Sequence, residues 1–335
     1  MNASRPLTRR SAMALALAGI GGLAAARSGA RRAAPQLHRR DAVAFGTTVS
    51  ITLEAEDPAM AETAFAAGFA EIRRIDRIAS LTREDGEVFR LNRDGHLDDP
   101  DPALIDMLRM AEDMHVASEG AFDVTVQPLW LVLDAAARRG AWPSEDAIAE
   151  IARRIDQKAL KVGARRIEFA KPGMAITLNS LARGYAADRV ALAIAAEGVV
   201  NAFLDIDELE SLGVRPDGAA WRAMVQHPRD PRGNVGAASV KGCLATSGDY
   251  RYFWSPDYSR NHIIHPRSGA SPSDFASVSA LAGEGLLADA LSTAVFLVGA
   301  ANAPALLRRF GAEALFVAKD GRVSATARFP TSALV

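Results

Sequence analysis

Residues 277–299 read SVSALAGEGLLADALSTAVFLVG, a short strand pattern that turns through two glycines into a helix. Leu287, Leu291, Val295 and Val298 recur at helical spacing and predict an amphipathic helix with its stripe in the core, ended by Gly299. Asp289, Ser292 and Thr293 stand at i, i+3 and i+4, on one side of a single turn. Ser277 to Ala282 is the strand feeding this helix, and Ala314 to Ala318 is expected to pair with Arg322 to Thr326 across Lys319-Asp320-Gly321. Strands, helices and hairpins follow in the same irregular order elsewhere. That order predicts an α+β fold, antiparallel sheets with packed helices in two intimately joined subdomains, and argues against a doubly wound parallel sheet.

A carboxylate with hydroxyls one turn on suits a hard cation such as Mg²⁺, which takes oxygen donors. The plain alternative is a solvated helix face. A second anchor lies at Asn179 and Ser180, residue types that cap helices, ahead of a helix expected from Leu181 to Glu197 and closed by Gly198. Such a helix start suits an anion, so residues 179–184 are candidates to meet a phosphate or simply to cap.

The first thirty residues differ in material from the rest of the chain. Arg5, Arg9 and Arg10 precede an uncharged run from Ser11 to Ala26, and Thr8-Arg9-Arg10-Ser11-Ala12-Met13 resembles a twin-arginine export signal. Residues 1–30 are therefore expected to be a leader, cut near Ala24 to Ala26 or at Ala30, residues 31–41 a linker, and 42–330 one large domain or two intimately joined subdomains acting in the periplasm. The chain of 335 residues carries a formal net charge of −1; losing the leader removes four arginines and no acid, leaving −5. No basic excess points to nucleic acid, and no membrane span is expected in the mature chain. A single cysteine, Cys243, excludes an internal disulfide framework, so burial by the 49% hydrophobic content must supply stability.

Ala42 to Leu53 alternates as one strand, broken at Phe45-Gly46 by a bulge or close backbone approach. Helices are expected over Pro58–Ala79, Leu104–Ser118 and Ser144–Ile155, and a loop ending at Leu91 to Gly95. A hairpin is expected over Ile167–Leu178 around Lys171-Pro172-Gly173, with strands over Ala202–Ile206 and Trp221–His227. Cys243 to Tyr250 reads as a small-residue turn. His262 and His265 would face opposite sides of a strand, which disfavours a shared soft metal. No dinucleotide-binding GxGxxG, P-loop or GxSxG is present.

In order, the chain shows FGTT at Phe45, RLNRDG at Arg90, GAFDVTVQPLW at Gly120, NSLARGYAADRVA at Asn179, ATSGDYRYF at Ala245, NHIIHPRSG at Asn261 and ADALSTA at Ala288. This series resembles the ApbE-type flavin transferases from about Val43 to Thr326. The leader and LDIDELESLG at Leu204 look most like the branch accompanying nitrous oxide reductase maturation. The resemblance implies that FAD is bound with Mg²⁺ and that its FMN half moves to a Thr or Ser hydroxyl of an exported domain of a membrane-anchored redox protein, releasing AMP. It implies Asp289 and Thr293 as Mg²⁺ ligands, with Ser292 nearby and the Ser180 carbonyl as a further donor, and His262 as the base. FAD would contact Phe45, Ala121, Phe122, Asp123, Thr177, Arg183 and Ile264.

Several positions depart from that family's pattern. Thr82 stands for an aromatic, Gly86 for Ser, Val124 for Pro, Thr177 for Asp, Arg183 for Lys, Asp207 for Gly and His265 for Asp. Thr177 and Thr82 leave open a periplasmic FAD carrier or assembly factor without efficient transfer, and the same metal with water in place of the acceptor hydroxyl leaves open an FAD pyrophosphatase.

Overall fold

The computed structural model describes residues 36–334. The expected leader and cleavage site lie outside them. Fourteen strands and seven α-helices are found among the described residues. The order opens β1 (Gln36–Ala44), β2 (Thr47–Ala55), α1 (Pro58–Ala79), α2 (Glu87–Asp94), β3 (His96–Asp98), α3 (Pro102–Ala117), α4 (Gln127–Arg138) and α5 (Glu145–Ala152). It continues β4 (Leu160–Val162), β5 (Arg166–Phe169), α6 (Ala182–Ala196), β6 (Ala202–Asp205), β7 (Leu209–Leu212), β8 (Trp221–Gln226), β9 (Asn234–Val240) and β10 (Gly242–Gly248). It closes with β11 (Phe275–Ala282), α7 (Gly285–Phe310), β12 (Glu313–Ala318), β13 (Val323–Ala325) and β14 (Thr331–Leu334).

The expected α+β class holds. Eight strands form one sheet in the order β1-β2-β6-β7-β10-β11-β12-β13, every neighbouring pair antiparallel. Alternation sends Ala202, Leu204, Cys243, Ala245 and Ala314 to the helical core, and Phe203, Leu244, Leu315 and Val317 to the opposite face. There they meet Trp221, Val225, Val235 and Val240 of the small sheet β14-β9-β8. Ala276 joins that second layer while Val278 and Ala280 face the helices, because a register shift between Phe275 and Ser277 changes the face. The helical side packs α1 on α6, α6 on α7, and α7 on both β10 and β11.

Several local expectations need correction. The strand expected over Ala42–Leu53 is a hairpin, with Phe45 and Gly46 at φ 50° and 72° forming its two-residue turn, and residues 36–41 of the expected linker belong to β1. The loop ending at Gly95 is largely α2, which Gly95 closes in the left-handed conformation. The hairpin turns around Gly163, where Val162 faces Ile167, while the turn at Lys171-Pro172-Gly173 is followed by no returning strand over residues 174–178. Cys243 to Gly248 lies in β10, a central strand rather than a turn. Residues 261–265 are not a strand; only Phe253 and Asn261 form an isolated bridge.

The 277–299 stretch folds as expected in outline. Gly299, at φ 76°, breaks the helix, and Asp274 receives the Ala300 amide at 2.8 Å to start a second helical segment. The helix is not amphipathic, however: Asp289 and Ser292 are buried together with Ala288, Leu291, Val295 and Phe296. By length and composition α7 is apolar enough to cross a membrane, but half of its most apolar window is buried in the core and Gly299 interrupts it.

Candidate active site

The site is built where α6 crosses α7. A Cβ added to Gly184 would lie 2.1 Å from the Gly285 carbonyl oxygen, and one on Gly285 would lie 2.3 Å from that of Gly184. Only two glycines allow this approach. Asp188 of α6 accepts the Gly285 and Leu286 amides at 2.6 and 2.8 Å, capping α7 from its neighbour. One turn into α7, Asp289 accepts the Gly184 amide at 3.1 Å. Burial pushes the Asp289 carboxyl up to about 6, against the pull of Arg183 and of the Gly184 amide.

A hydroxyl cluster adjoins this carboxylate. Ser247 of β10 stands 2.8 Å from the Ser292 hydroxyl and 2.8 Å from that of Thr293. Ser292 also donates to the Asp289 carbonyl at 2.9 Å. The donors are a carboxylate and hydroxyl oxygens without thiolate or imidazole, a set that fits a hard cation such as Mg²⁺ better than zinc. No group of three or more His, Cys, Asp and Glu side chains able to hold a metal occurs among the described residues.

Charge on the other side comes from Arg183, in the first turn of α6. Its Nε lies 3.4 Å from Glu208 and 3.6 Å from Asp207, and its Nη2 donates to the Asn179 carbonyl at 3.2 Å. Arg251 binds Asp207 at 2.7 Å. Burial acts to lower the Arg183 pKa, but Asp207, Glu208 and Asp289 outweigh it and keep the guanidinium charged. Burial, with Asp289 nearby, pushes the fully buried Glu208 well above the usual carboxylate range, and its carboxyl accepts the Thr246 amide at 3.2 Å.

His262 hangs on the loop after β10. The Tyr252 carbonyl accepts both its amide and its Nδ1 at 2.9 Å. With Nδ1 protonated toward that carbonyl, Nε2 carries the lone pair. Burial lowers the ring's pKa to about 4 despite this bond, with Arg183 adding to the shift and Asp249 opposing it. The loop is tied down at Asp249, fully buried and held by both nitrogens of Arg229 at 2.6 and 2.8 Å and by Lys319. Lys319 also donates to the Tyr258 carbonyl at 3.0 Å, and Arg229 lies 4.0 Å over the Tyr258 ring.

The ApbE family model matches residues 45–316. The chain belongs to the ApbE family. It is 27% identical over 297 residues to the FAD:protein FMN transferase of Klebsiella pneumoniae strain 342, covering 84% of each chain. To the FAD:protein FMN transferase of Treponema pallidum strain Nichols it is 29% identical over 326 residues, covering 88% of each. The apo flavinyl transferase ApbE of Pseudomonas stutzeri superposes with a TM-score of 0.77 at 28% identity, covering 88% of this chain and 95% of that one.

Within this ApbE chain, Asp289, Ser292, Thr293 and Arg183 form one connected neighbourhood, and the charges of Arg183 reach His262. Ser180 precedes α6, but the helix is capped at Leu181 without a side-chain bond, so neither Asn179 nor Ser180 caps it. Asp123 stands in the turn between α3 and α4, its side chain nearly buried. Its carboxylate accepts the Thr125 amide and hydroxyl at 2.8 and 2.6 Å and faces His115 Nδ1 at 3.4 Å, beside a cleft of about 430 Å³ lined also by Gln157, Lys158 and Arg267. Thr177 links the two regions by donating its amide to the Val124 carbonyl at 2.9 Å. Phe45 donates its amide to Asp76 at 3.0 Å. Ala121, Phe122 and Ile264 are buried, Phe122 in the main core and Ile264 with Leu129, Leu133 and Ile148. Sequence reasoning missed Ser247, Glu208, Asp188 and Asp249. For Ser247 and Asp249 the signal was their place in ATSGDYRYF; Asp188 stood in NSLARGYAADRVA, and Glu208 in LDIDELESLG.

Proposed function

We propose that this chain transfers the FMN half of FAD to a Thr or Ser hydroxyl of a protein acceptor, with Mg²⁺, and releases AMP. The observation that carries it is a buried carboxylate–hydroxyl cluster on α7 bonded to the Gly184 amide, next in sequence to Arg183, whose charge acts on both Asp289 and the neutral His262 ring. Both sequence relatives described above bear the name of that activity. Asp289 and Thr293 would hold the cation, supported by Ser292 and the Ser180 carbonyl. Mg²⁺ in such a site neutralises charge on a pyrophosphate.

The chain's own groups divide the remaining work. Arg183 offers a fixed cation to a phosphate oxygen. His262 Nε2, unprotonated at neutral pH, accepts the proton of the acceptor hydroxyl as its oxygen bonds to the phosphorus on the FMN side. The phosphorus–oxygen bond to AMP breaks, and AMP leaves with the bonding pair. FAD contacts are assigned to Phe45, Asp123, Thr177 and the neighbouring Ala121, Phe122 and Ile264. The acceptor is an exported domain of a membrane-anchored redox protein, met in the periplasm after twin-arginine export.

Purified protein incubated with FAD, Mg²⁺ and a candidate acceptor domain tests this. An acceptor heavier by one FMN less one water, with matching AMP, is expected. Stoichiometric FAD binding without AMP would replace the transferase with a carrier, and free FMN without labelled acceptor would replace it with a pyrophosphatase.

A further inference from the structure

The turn joining β6 to β7 is closed by the Ile206 amide donating to the Glu208 carbonyl at 2.9 Å, and its middle residue is Asp207. Asp207 holds φ at 74°, a conformation a non-glycine residue adopts at some cost. Its carboxylate, 13% exposed, binds Arg251 Nη2 at 2.7 Å and faces Arg183 Nε at 3.6 Å. Two guanidinium groups from separate elements thus converge on one carboxylate at the edge of the active site. Guanidinium pairs of this kind grip phosphate oxygens in a bidentate manner. Arg183 cannot present both its edges outward while it faces Asp207 and Glu208 and donates to Asn179.

We propose that Asp207 stands in for a substrate phosphate, pairing with Arg183 and Arg251 and releasing them to a pyrophosphate-bearing ligand, so that it sets the affinity for that ligand. The inference deepens the transferase reading and rests on it for the identity of the ligand as FAD. A pyrophosphate entering the site exchanges two ion pairs rather than gaining them, and it meets the like charge of Asp207 as it does so. The exchange leaves the arginines ordered before binding at the expense of affinity. Replacement by glycine removes both the competing anion and the positive-φ cost, while replacement by asparagine removes only the charge.

The test uses the full chain with Asp207→Gly and Asp207→Asn, and measures by calorimetry the binding of inorganic pyrophosphate in EDTA and, in EDTA-free buffer, of Mg²⁺ and of FAD with saturating Mg²⁺, with thermal melts to confirm folding. Both variants are expected to bind pyrophosphate and FAD more tightly, by roughly tenfold, the scale of removing one like charge at the edge of a site. Equal or weaker pyrophosphate binding by both variants overturns the proposal. So does a loss of Mg²⁺ affinity in the variants with pyrophosphate binding unchanged, which would make Asp207 a cation ligand. If the variants bind pyrophosphate more tightly but no form binds FAD, the proposal stands and the flavin reading falls.

Discussion

The Gly184 amide donates to the buried Asp289 carboxylate at 3.1 Å, across a crossing where a Cβ on Gly184 would sit 2.1 Å from the Gly285 oxygen. The hydrogen bond and the contact depend on one another, since any side chain at 184 pushes α6 off α7. Gly184→Ala is expected to destabilise the fold by roughly 1–3 kcal/mol or more, the scale of overpacking a tight interface. It should also weaken Mg²⁺-dependent activity beyond the stability loss. Denaturant melts and AMP release at a temperature where the variant stays folded check both; wild-type stability would show that the helices slide apart freely.

Asp289→Asn keeps an oxygen able to accept the Gly184 amide but removes the charge from the oxygen cluster. Folding should survive with a shift of no more than about 1 kcal/mol, the net worth of an ordinary hydrogen bond. Transfer should fall on the order of 10²-fold or more, as when an electrostatic stabiliser is lost from an active site. Full activity at low Mg²⁺ would remove Asp289 from the cation site.

The hydroxyl and carboxylate pattern of ADALSTA was legible because i, i+3 and i+4 spacing is a local property of one helix. Its burial was not legible. The apolar stripe at Leu287, Leu291, Val295 and Val298 reads as one buried face, yet Ala288, Ala290 and Ala294 are buried too, since α3, α6, β10 and β11 pack around α7. Small residues misled elsewhere for the same reason. Thr246, Ser247 and Gly248 favour turns in isolation, but as a central strand they place Ser247 against Ser292 and Thr293, 45 and 46 residues away. Lys171-Pro172-Gly173 is a strong turn signal that masked the weaker one at Gly163, where β4 and β5 pair. Tertiary contacts decide such cases, and spacing along one segment does not contain them.

The His262 ring is expected to keep its proton off throughout the neutral range. Burial holds its pKa near 4, below its ordinary value of 6.5. The base is therefore active above the lower value, and with Mg²⁺ saturating, which would keep the Asp289 carboxyl ionised, the acid limb of kcat/KM for transfer should lie below pH 6 rather than at 6.5. The unfolded chain binds a proton between pH 6.5 and 4 that the folded ring refuses, so this group lowers stability as pH falls through that window. His262→Asn should reduce kcat by about 10²–10⁴-fold, the range for losing a general base, with FAD binding retained. An acid limb unchanged in that variant would assign it to another group.

Asp249 gives the loop its fixed position. Fully buried, it is paired with Arg229 and Lys319, and through Lys319 and Tyr258 it anchors the segment whose Tyr252 carbonyl orients His262. Asp249→Asn leaves two largely enclosed cations without their anion, which is expected to cost about 3–5 kcal/mol. Lys319→Met is the gentler test, because Arg229 still grips both carboxylate oxygens while the bond to the Tyr258 carbonyl is lost. If the anchor works through His262, Lys319→Met lowers kcat more than it raises KM for FAD, and Lys319→Arg restores most of the rate. Equal effects on kcat and on FAD binding would instead make the network a general support of the site.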